Sequence, residues 1–148
     1  MGNIRIRTTK MSDIEQLVKV ERRSYNHRYA YWNSKNFTKY LRRKSTIALV
    51  ACECDVVIGK AMGVLYKRNG DIRFDVYDVS VLPDYRGLWV GQRLLRTLER
   101  RAKKEGSVSS SLYVRYKNYK ATCLYKKAGY VFNKYGNRWG LSRMVKHF

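Results

Sequence analysis

The chain has 148 residues, of which 45% are hydrophobic and 29% charged, a composition typical of one folded domain, here 1–148. No apolar run approaches the roughly 20 residues of a membrane-spanning helix, and the charged start is no secretory signal, so we expect a cytoplasmic protein with no membrane partner. The 32 lysines and arginines against 11 acidic residues give a net charge of +21, which favours an anionic cofactor, substrate or partner without choosing among them.

The cysteine content indicates free thiols rather than disulfides or a metal site. The chain has 3 cysteines, and Cys52 and Cys54 lie two apart in an apolar run, as is typical of reduced cysteines in an intracellular protein. Together with Cys123, His27 and His147 they show no recognised metal-ligand spacing. We therefore expect no metal.

The first half of the chain predicts a strand, two helices and a hairpin. Apolar and basic residues alternate at 4–8, as in a half-exposed strand. Ser12, with Glu15 three residues later, has the pattern of a helix N-cap and capping box, and a second short helix is expected over about 34–44. The apolar runs "TIALVACEC" and "VVIGKAMGVLYK" then predict a hairpin that turns at 54–55.

The second half predicts two more helices and the remaining strands. A turn at 69–71 precedes the strand "IRFDVYDVSVL", and apolar residues recur at helical spacing from Val90 until Gly106. The strand "SSSLYVRY", a short helix that ends at Gly129 and two final strands follow. The order β-α-α-β-β-β-α-β-α-β-β predicts an α/β (α+β) fold with a mixed central sheet of six to seven strands and helices on both faces.

The loop "VLPDYRGLWVG" joins a predicted strand to a predicted helix. Such a loop presents unpaired N–H groups and the positive end of the helix dipole, a combination that binds phosphate. Gly87 and Gly91 allow a close approach of the main chain, and Arg86 adds a guanidinium group. The alternative is an ordinary strand-to-helix turn, because short glycine motifs are weak signals by themselves.

Two motifs resemble those of the GNAT superfamily, the acetyl-CoA-dependent N-acetyltransferases. "V-x-P-x-Y-R-G-x-x-V-G-x-x-L-L" is similar to the family's acetyl-CoA loop, whose signature Q/R-x-x-G-x-G/A is matched by Arg86 and Gly91. "LYVRYKNYKATCLYKKAGY" (112–130) resembles a second family motif. The spacing is most similar to that of ribosomal-protein alanine acetyltransferase-like members, and the predicted order of elements is also that of the GNAT fold.

Trp89 departs from the signature, which has glycine at this position. A tryptophan costs little here if its φ is negative and its side chain points outward, whereas a positive φ strains it by roughly 1–3 kcal/mol. Either the loop is kept, with Trp89 covering the cofactor or a neighbouring surface, or cofactor binding is weakened.

The resemblance implies that acetyl-CoA is the co-substrate and that the acetyl group passes directly to an amine. It implies a main-chain N–H donor for the oxyanion on the strand before the loop, and Asn118 as a partner of the pantetheine arm. The residues that it assigns to acetyl-CoA are Val79, Val81, Arg86, Gly87, Leu88, Trp89, Val90, Gly91, Asn118, Tyr125 and Lys126.

The resemblance also implies two catalytic residues. Tyr125 matches the family tyrosine that donates a proton or hydrogen bond to the departing thiolate, although without the motif it would read as a core aromatic. Asp75 stands where members often place a base or the acceptor for its water, with Asp78 in reserve. Either carboxylate can equally be a surface group that balances nearby arginines.

The segments that form the substrate walls in this fold are aromatic and basic, with few acids. We expect the acceptor to contact Tyr29, Tyr31, Trp32, Tyr113 and Trp139. Tyr113 occupies a position where the alanine acetyltransferases carry glutamate, and a tyrosine is no base at neutral pH. Such walls fit an acidic protein, a nucleotide-linked amine or an RNA-borne aminoacyl group.

Three functions therefore remain open. The first is an N-acetyltransferase that acts on an amine of a protein or small molecule. The second is an acetyltransferase whose acceptor amine is carried on nucleic acid, such as charged tRNA. The third is a catalytically silent GNAT-like binding module. The sequence does not decide the oligomeric state.

Overall fold

The computed structural model describes residues 2–25, 32–137 and 140–148, and the elements within them confirm the predicted order. Their bounds are β1 (Ile4–Thr8), α1 (Ile14–Ser24), α2 (Ser34–Leu41), β2 (Thr46–Glu53), β3 (Val56–Arg68), β4 (Asp71–Val81), α3 (Val90–Lys104), β5 (Ser107–Arg115), α4 (Tyr119–Lys127), β6 (Val131–Lys134) and β7 (Leu141–His147). Short 3₁₀ turns at Met11–Asp13 and Pro83–Tyr85 precede α1 and α3. None of the helices in these ranges is both long and apolar enough to span a membrane.

The strands form a single mixed sheet in the order β1-β2-β3-β4-β5-β7-β6. The β4–β5 pair is parallel, and the other neighbours are antiparallel. A parallel pair needs a crossover connection, which α3 supplies. The two strands on either side of this crossover are therefore the ones whose carboxyl ends lie together.

Helices cover both faces of this sheet. A Cβ on Gly59 would lie 3.2 Å from Leu94 of α3, whereas the next residue of β3, Lys60, contacts Glu21 of α1. Neighbouring residues of a strand point to opposite faces, so α1 and α3 pack on opposite sides of β3.

The core lies mainly between the sheet and α3, whose apolar side chains recur at helical spacing. Leu94, Leu95 and Leu98 of this helix are completely buried, and each such burial stabilises the fold by about 1.5–3 kcal/mol. On the opposite face, Leu17 of α1 and Phe37 of α2 are also buried. Helices α3 and α1, which lie on opposite faces of the sheet, are thus both held by packing of buried apolar side chains.

An irregularity in β4 shapes the site. Met62 of β3 is opposite Asp78 and Gly63 is opposite Val76, so Tyr77 is an extra residue in the β3–β4 ladder. Such a bulge bends its strand and increases the local twist. Val76 is also the last residue of β4 that pairs with β5, so the two strands part at this bulge.

Two details of the predicted helices were wrong. Ser12 is not the N-cap of α1, because the chain first makes a 3₁₀ turn; instead the Asp13 carboxylate accepts the Lys10 N–H at 2.7 Å and both guanidinium bonds of Arg7. Helix α2 ends at Leu41 rather than near 44, because the chain turns back into β2.

Candidate active site

The β4–β5 gap is the space between residues 77–81 of β4 and 113–115 of β5. Pairing of these strands ends at Val76 and Leu112, although each strand continues beyond. The Leu82 N–H bonds to Ile58 of β3 at 2.9 Å. Because N–H groups alternate between the two edges of a strand, those of Val79 and Val81 point away from β3 and toward the gap.

The loop between β4 and α3 presents open main-chain N–H groups at the end of this gap. The first hydrogen bond of α3 runs from the Arg93 N–H to the Trp89 carbonyl at 3.0 Å. The N–H groups of the three preceding residues, among them Val90 and Gly91, therefore have no helical acceptor. Gly87 has a φ of +77°, and a turn of this kind with a helix N-terminus forms an anion site.

Trp89 adopts the left-handed conformation, with φ 65° and ψ 8°. Such a conformation costs a non-glycine residue about 1–3 kcal/mol. Its side chain is 65% exposed, whereas the neighbouring Leu88 is half-buried against the core. The indole therefore lies at the surface and does not fill the loop, although the backbone carries the strain that a positive φ imposes.

Arg86 is exposed, but its guanidinium group bonds to main-chain carbonyls of the protein. Its Nε donates to the Val81 carbonyl at 3.0 Å, and a terminal nitrogen donates to the Ser24 carbonyl at 3.2 Å. Arg86 thereby ties the loop to the end of β4 and to the end of α1. In this arrangement it holds the shape of the loop, whereas the sequence suggested a guanidinium directed at the anion.

Helix α4 follows the end of β5 in the chain, and three of the predicted site residues, Asn118, Tyr125 and Lys126, lie on it or at its N-cap. Asn118 caps this helix, because its Oδ1 accepts the Ala121 N–H at 3.2 Å; its amide NH₂ remains the group that can donate to a ligand. Lys126 lies near the helix end, with Nζ 5.5 Å from the centre of the Phe132 ring.

Tyr125 of α4 is buried, and its ring meets that of Tyr130 edge-on at 5.9 Å. Burial, with a contribution from the charge of Asp78, raises the pKa of the Tyr125 hydroxyl above its ordinary value. A phenol in such surroundings stays protonated at neutral pH. Tyr125 can therefore donate a hydrogen bond or a proton.

Asp75 and Tyr113 line a common cavity of about 270 Å³ on the sheet face beside the gap. One oxygen of Asp75 accepts a short hydrogen bond from the Ser111 hydroxyl. Tyr113 is 61% exposed and directly follows Leu112, the last β5 residue that pairs with β4. The structure thus brings together the predicted base and one of the predicted substrate contacts.

The other predicted substrate contacts are separate from this cavity or lie outside the described residues. Trp32 stacks on Phe37 at 5.3 Å and meets Tyr40 edge-on at 5.0 Å, so it packs against α2. Tyr29, Tyr31 and Trp139 lie outside the described residues.

Sequence reasoning missed a buried polar cluster beside the gap. Lys60 is 2% exposed and binds Glu21 at 2.9 Å and Asp78 more closely still. Ser80 connects the cluster outward, because its hydroxyl bonds to Asp78 at 2.7 Å and lies 3.2 Å from that of Tyr25. The signal was a lone lysine in the apolar run "VVIGKAMGV", which cannot be buried without an acidic partner.

Burial raises the pKa of two groups in this cluster, Glu21 and Tyr25. Burial raises the pKa of Glu21 above its ordinary value; the charge of Lys60 opposes this effect and that of Asp78 adds to it. Burial likewise raises the pKa of Tyr25, with Asp78 again contributing. A protonated Tyr25 thus stands at the outer end of the chain of hydrogen bonds that leads to Asp78.

These residues fit a thioester of coenzyme A. The turn at Gly87 and the open N–H groups of α3 suit its diphosphate, and the unpaired edges of β4 and β5 suit an amide-bearing arm. The thioester itself supplies the acetyl group in activated form.

Comparisons with known proteins agree with this geometry. Residues 11–130 match the model of the acetyltransferase (GNAT) family. A relative from Sulfurisphaera tokodaii, named N-alpha-acetyltransferase, is 28% identical over 141 residues, covering 85% of this chain and 79% of the relative.

Two solved structures share the fold. The PaiA N-acetyltransferase from Thermoplasma acidophilum in complex with coenzyme A has a TM-score of 0.87 at 21% identity and covers 99% of each chain. Ard1 from Thermoplasma volcanium has a TM-score of 0.83 at 22% identity and covers 97% of each chain. The chain therefore belongs to the GNAT acetyltransferase family and is an acetyl-CoA-dependent N-acetyltransferase.

Proposed function

We propose that the acceptor is the α-amine of a polypeptide. The observation that carries this proposal is the continuity of the β4–β5 gap with the open cavity at Asp75 and Tyr113. A chain end can enter the gap from this side while the rest of the polypeptide extends out through the open cavity. The name of the Sulfurisphaera relative, N-alpha-acetyltransferase, supports the same acceptor.

In this proposal the main chain of the loop and of β4 holds and polarises acetyl-CoA. The N–H groups of Val90 and Gly91 bind the diphosphate, and those of Val79 and Val81 face the thioester carbonyl. Donors that are already oriented stabilise negative charge without reorganisation. Asn118 and Lys126 hold the outer parts of the cofactor, and Tyr125 donates to the departing sulfur.

Asp75 is the proposed acceptor of the proton that the substrate ammonium must lose, directly or through water. It lines the open cavity, and its bond to Ser111 fixes the carboxylate without neutralising it. The reserve candidate, Asp78, is buried, is paired with Lys60 and does not line this cavity.

We further propose a cytoplasmic reaction and an acidic acceptor. The three cysteines are free thiols in the structure, which suits a reducing compartment. The net charge of +21 attracts an acidic partner over long distances.

A second candidate acceptor is an amine carried on nucleic acid. The exposed rings of Tyr116 and Tyr135 surround Phe132, and the Phe132 and Tyr135 rings stack at 5.1 Å. Exposed aromatic rings on a basic protein can stack on unpaired bases.

One experiment separates these functions. Purified protein is incubated with acetyl-CoA and either an N-terminal peptide library or charged tRNA, and products are identified by mass spectrometry. We expect acetylated peptide α-amines with the wild type and none with an Arg86→Ala/Tyr125→Phe variant. Acetylation of aminoacyl-tRNA alone would favour the second candidate, and binding of acetyl-CoA without any product would favour a silent module.

A further inference from the structure

We propose that the cavity beside Tyr113 is a subsite for an acidic side chain near the N-terminus of the acceptor polypeptide. The proposal rests on the proposed function, because it assumes a polypeptide acceptor. We call this cavity the acidic subsite, after the acidic side chain that it would bind. It comprises Tyr66, Arg68, Asp75, Tyr113, Lys134 and Arg143.

The acidic subsite is built from five neighbouring strands, β3, β4, β5, β7 and β6, and from β3 only the last residues take part. Tyr113 of β5 is opposite Arg143 of β7, and Arg143 is opposite Lys134 of β6. Residues paired in this way project from the same face of a sheet. The volume of about 270 Å³ is several times the roughly 30 Å³ that one water molecule occupies in the liquid, so the subsite admits a whole side chain.

The charges in the acidic subsite are unbalanced. Arg68, Lys134 and Arg143 face one carboxylate, Asp75, which is already bonded to Ser111. All 11 acidic residues of the chain lie in the described ranges, and none of the ion pairs found there includes any of these three cations.

An entering carboxylate would relieve this imbalance. Three like charges around one space repel one another, and the repulsion falls when an opposite charge enters. Arginine can also bind a carboxylate through two parallel N–H donors. Arg143 is half-buried, and one of its nitrogens bonds to Asn133 at 3.3 Å, which orients the guanidinium group.

The acidic subsite lies within reach of an amine in the β4–β5 gap. Tyr113 stands at the point where the two strands part. Asp75 precedes Val79 by four residues, which is about 13 Å along a strand. An extended acceptor chain rises by a similar amount per residue, so the carboxylate belongs to one of about the first four residues of the acceptor.

A polypeptide carboxylate fits better than a nucleic-acid backbone. Proteins that bind single strands use a groove that follows successive phosphates. The three cations here line one open cavity together with Tyr66 and Tyr113. This arrangement suits one charged group at the end of a side chain.

The test is equilibrium binding, which does not depend on turnover. Peptides with a C-terminal fluorophore carry glutamate or glutamine at the second, third or fourth residue, and their Kd is measured by anisotropy with saturating coenzyme A. We expect the best glutamate peptide to bind about tenfold more tightly than its glutamine twin, the size of one charge-assisted hydrogen bond. An Arg68→Gln/Arg143→Gln variant should lose this preference while its Kd for the glutamine peptide stays unchanged.

An Arg100→Gln/Lys104→Gln variant is the matched control, because it removes the same charge from exposed positions of α3. Thermal unfolding of both variants establishes that they are folded. Three outcomes would overturn the proposal. The twin peptides could bind equally, all peptides could fail to bind, or the control variant could lose the preference to the same extent. An RNA oligonucleotide that displaces the peptides and loses affinity in the Arg68→Gln/Arg143→Gln variant would overturn it as well. If glutamate peptides bind preferentially but are not acetylated, the subsite stands and the proposed function fails.

Discussion

The ammonium group of Lys60 lies 2.9 Å from the carboxylate of Glu21, and both side chains are almost completely buried between β3 and α1. Asp78 binds the same ammonium group from β4. One cation therefore holds two acidic side chains beneath the β4–β5 gap. Removal of the cation leaves two buried carboxylates without a positively charged partner.

The substitution Lys60→Met should lower the free energy of unfolding by about 3–5 kcal/mol, the usual cost of breaking a buried ion pair from one side. Chemical denaturation monitored by tryptophan fluorescence measures the change. Lys67→Met, at an exposed position of the same strand, is the control and should change the stability by less than about 0.5 kcal/mol. Equal effects of the two substitutions would contradict the role of the cluster.

Substitution by alanine should change the stability differently at Gly63 and at Gly91. A Cβ on Gly63 would overlap the Phe74 ring and lie 2.6 Å from the Asp75 carbonyl oxygen, whereas a Cβ on Gly91 would make ordinary contacts at 3.6 Å or more. Gly63→Ala should therefore destabilise the protein by about 1–3 kcal/mol, and Gly91→Ala should be neutral or stabilising because alanine favours a helix. Thermal unfolding of the two variants provides the comparison, and a Gly63→Ala protein as stable as the wild type would argue against the close strand contact.

Trp89→Gly should relieve backbone strain, because glycine adopts a φ of +65° without steric cost, and Trp89 has this φ. A gain of about 1 kcal/mol corresponds to a rise in Tm of roughly 2–4 °C for a domain of this size. Acetyl-CoA affinity, measured by calorimetry, should not decrease, because the indole is exposed. Trp89→Val is the contrasting variant, since a β-branched residue tolerates this conformation poorly. A marked loss of affinity in Trp89→Gly would mean that the indole itself contacts the cofactor.

The ion pair of Arg7 and Asp13 makes the stability depend on pH. The side-chain hydrogen bond from Arg7, at 2.8 Å, is the main cause that holds the pKa of Asp13 below its ordinary value. A carboxyl whose pKa is lowered by folding stabilises the native state above its unfolded pKa, near 3.9, and this contribution disappears as the pH falls through the folded pKa. The wild type should thus have a higher free energy of unfolding than Asp13→Asn at pH 6. This difference should decrease below about pH 4. A difference that stays constant over this range would contradict the assignment.

The sequence was sufficient to predict the order of the elements and the position of the loop between β4 and α3, because both depend on local patterns. Helical and strand spacings, the Asn69–Gly70 turn and the glycines of the loop act over a few residues. The buried cluster joins α1 to β3 across 39 residues and β3 to β4 across 18 residues, and no local pattern encodes such pairings. Ser12 failed as a cap because the Asp13 side chain accepts the Lys10 N–H and the Arg7 guanidinium bonds instead.

The acidic subsite was also beyond local reasoning. Its members come from five strands, and only the register between them brings Arg68, Lys134 and Arg143 together. The sequence predicted an excess of positive charge and an anionic partner, but not where the cations converge. The conformation of Trp89 was likewise left open, because the φ that a loop requires depends on how its two ends are fixed.

Tyr125→Phe tests the proposed proton donor. We expect kcat to fall by about 10²-fold, a typical contribution of acid–base catalysis, while the Kd for acetyl-CoA stays unchanged because the ring still packs on Tyr130. Tyr119→Phe, at an exposed position of the same helix, is the control and should retain full activity. Burial raises the pKa of Tyr125 above the ordinary value of 10.0, so the donor stays protonated as the pH rises and kcat should not decline as the pH approaches 10. A wild-type kcat that is lost below this pH, or an unchanged kcat in Tyr125→Phe, would assign the protonation of the sulfur to another group.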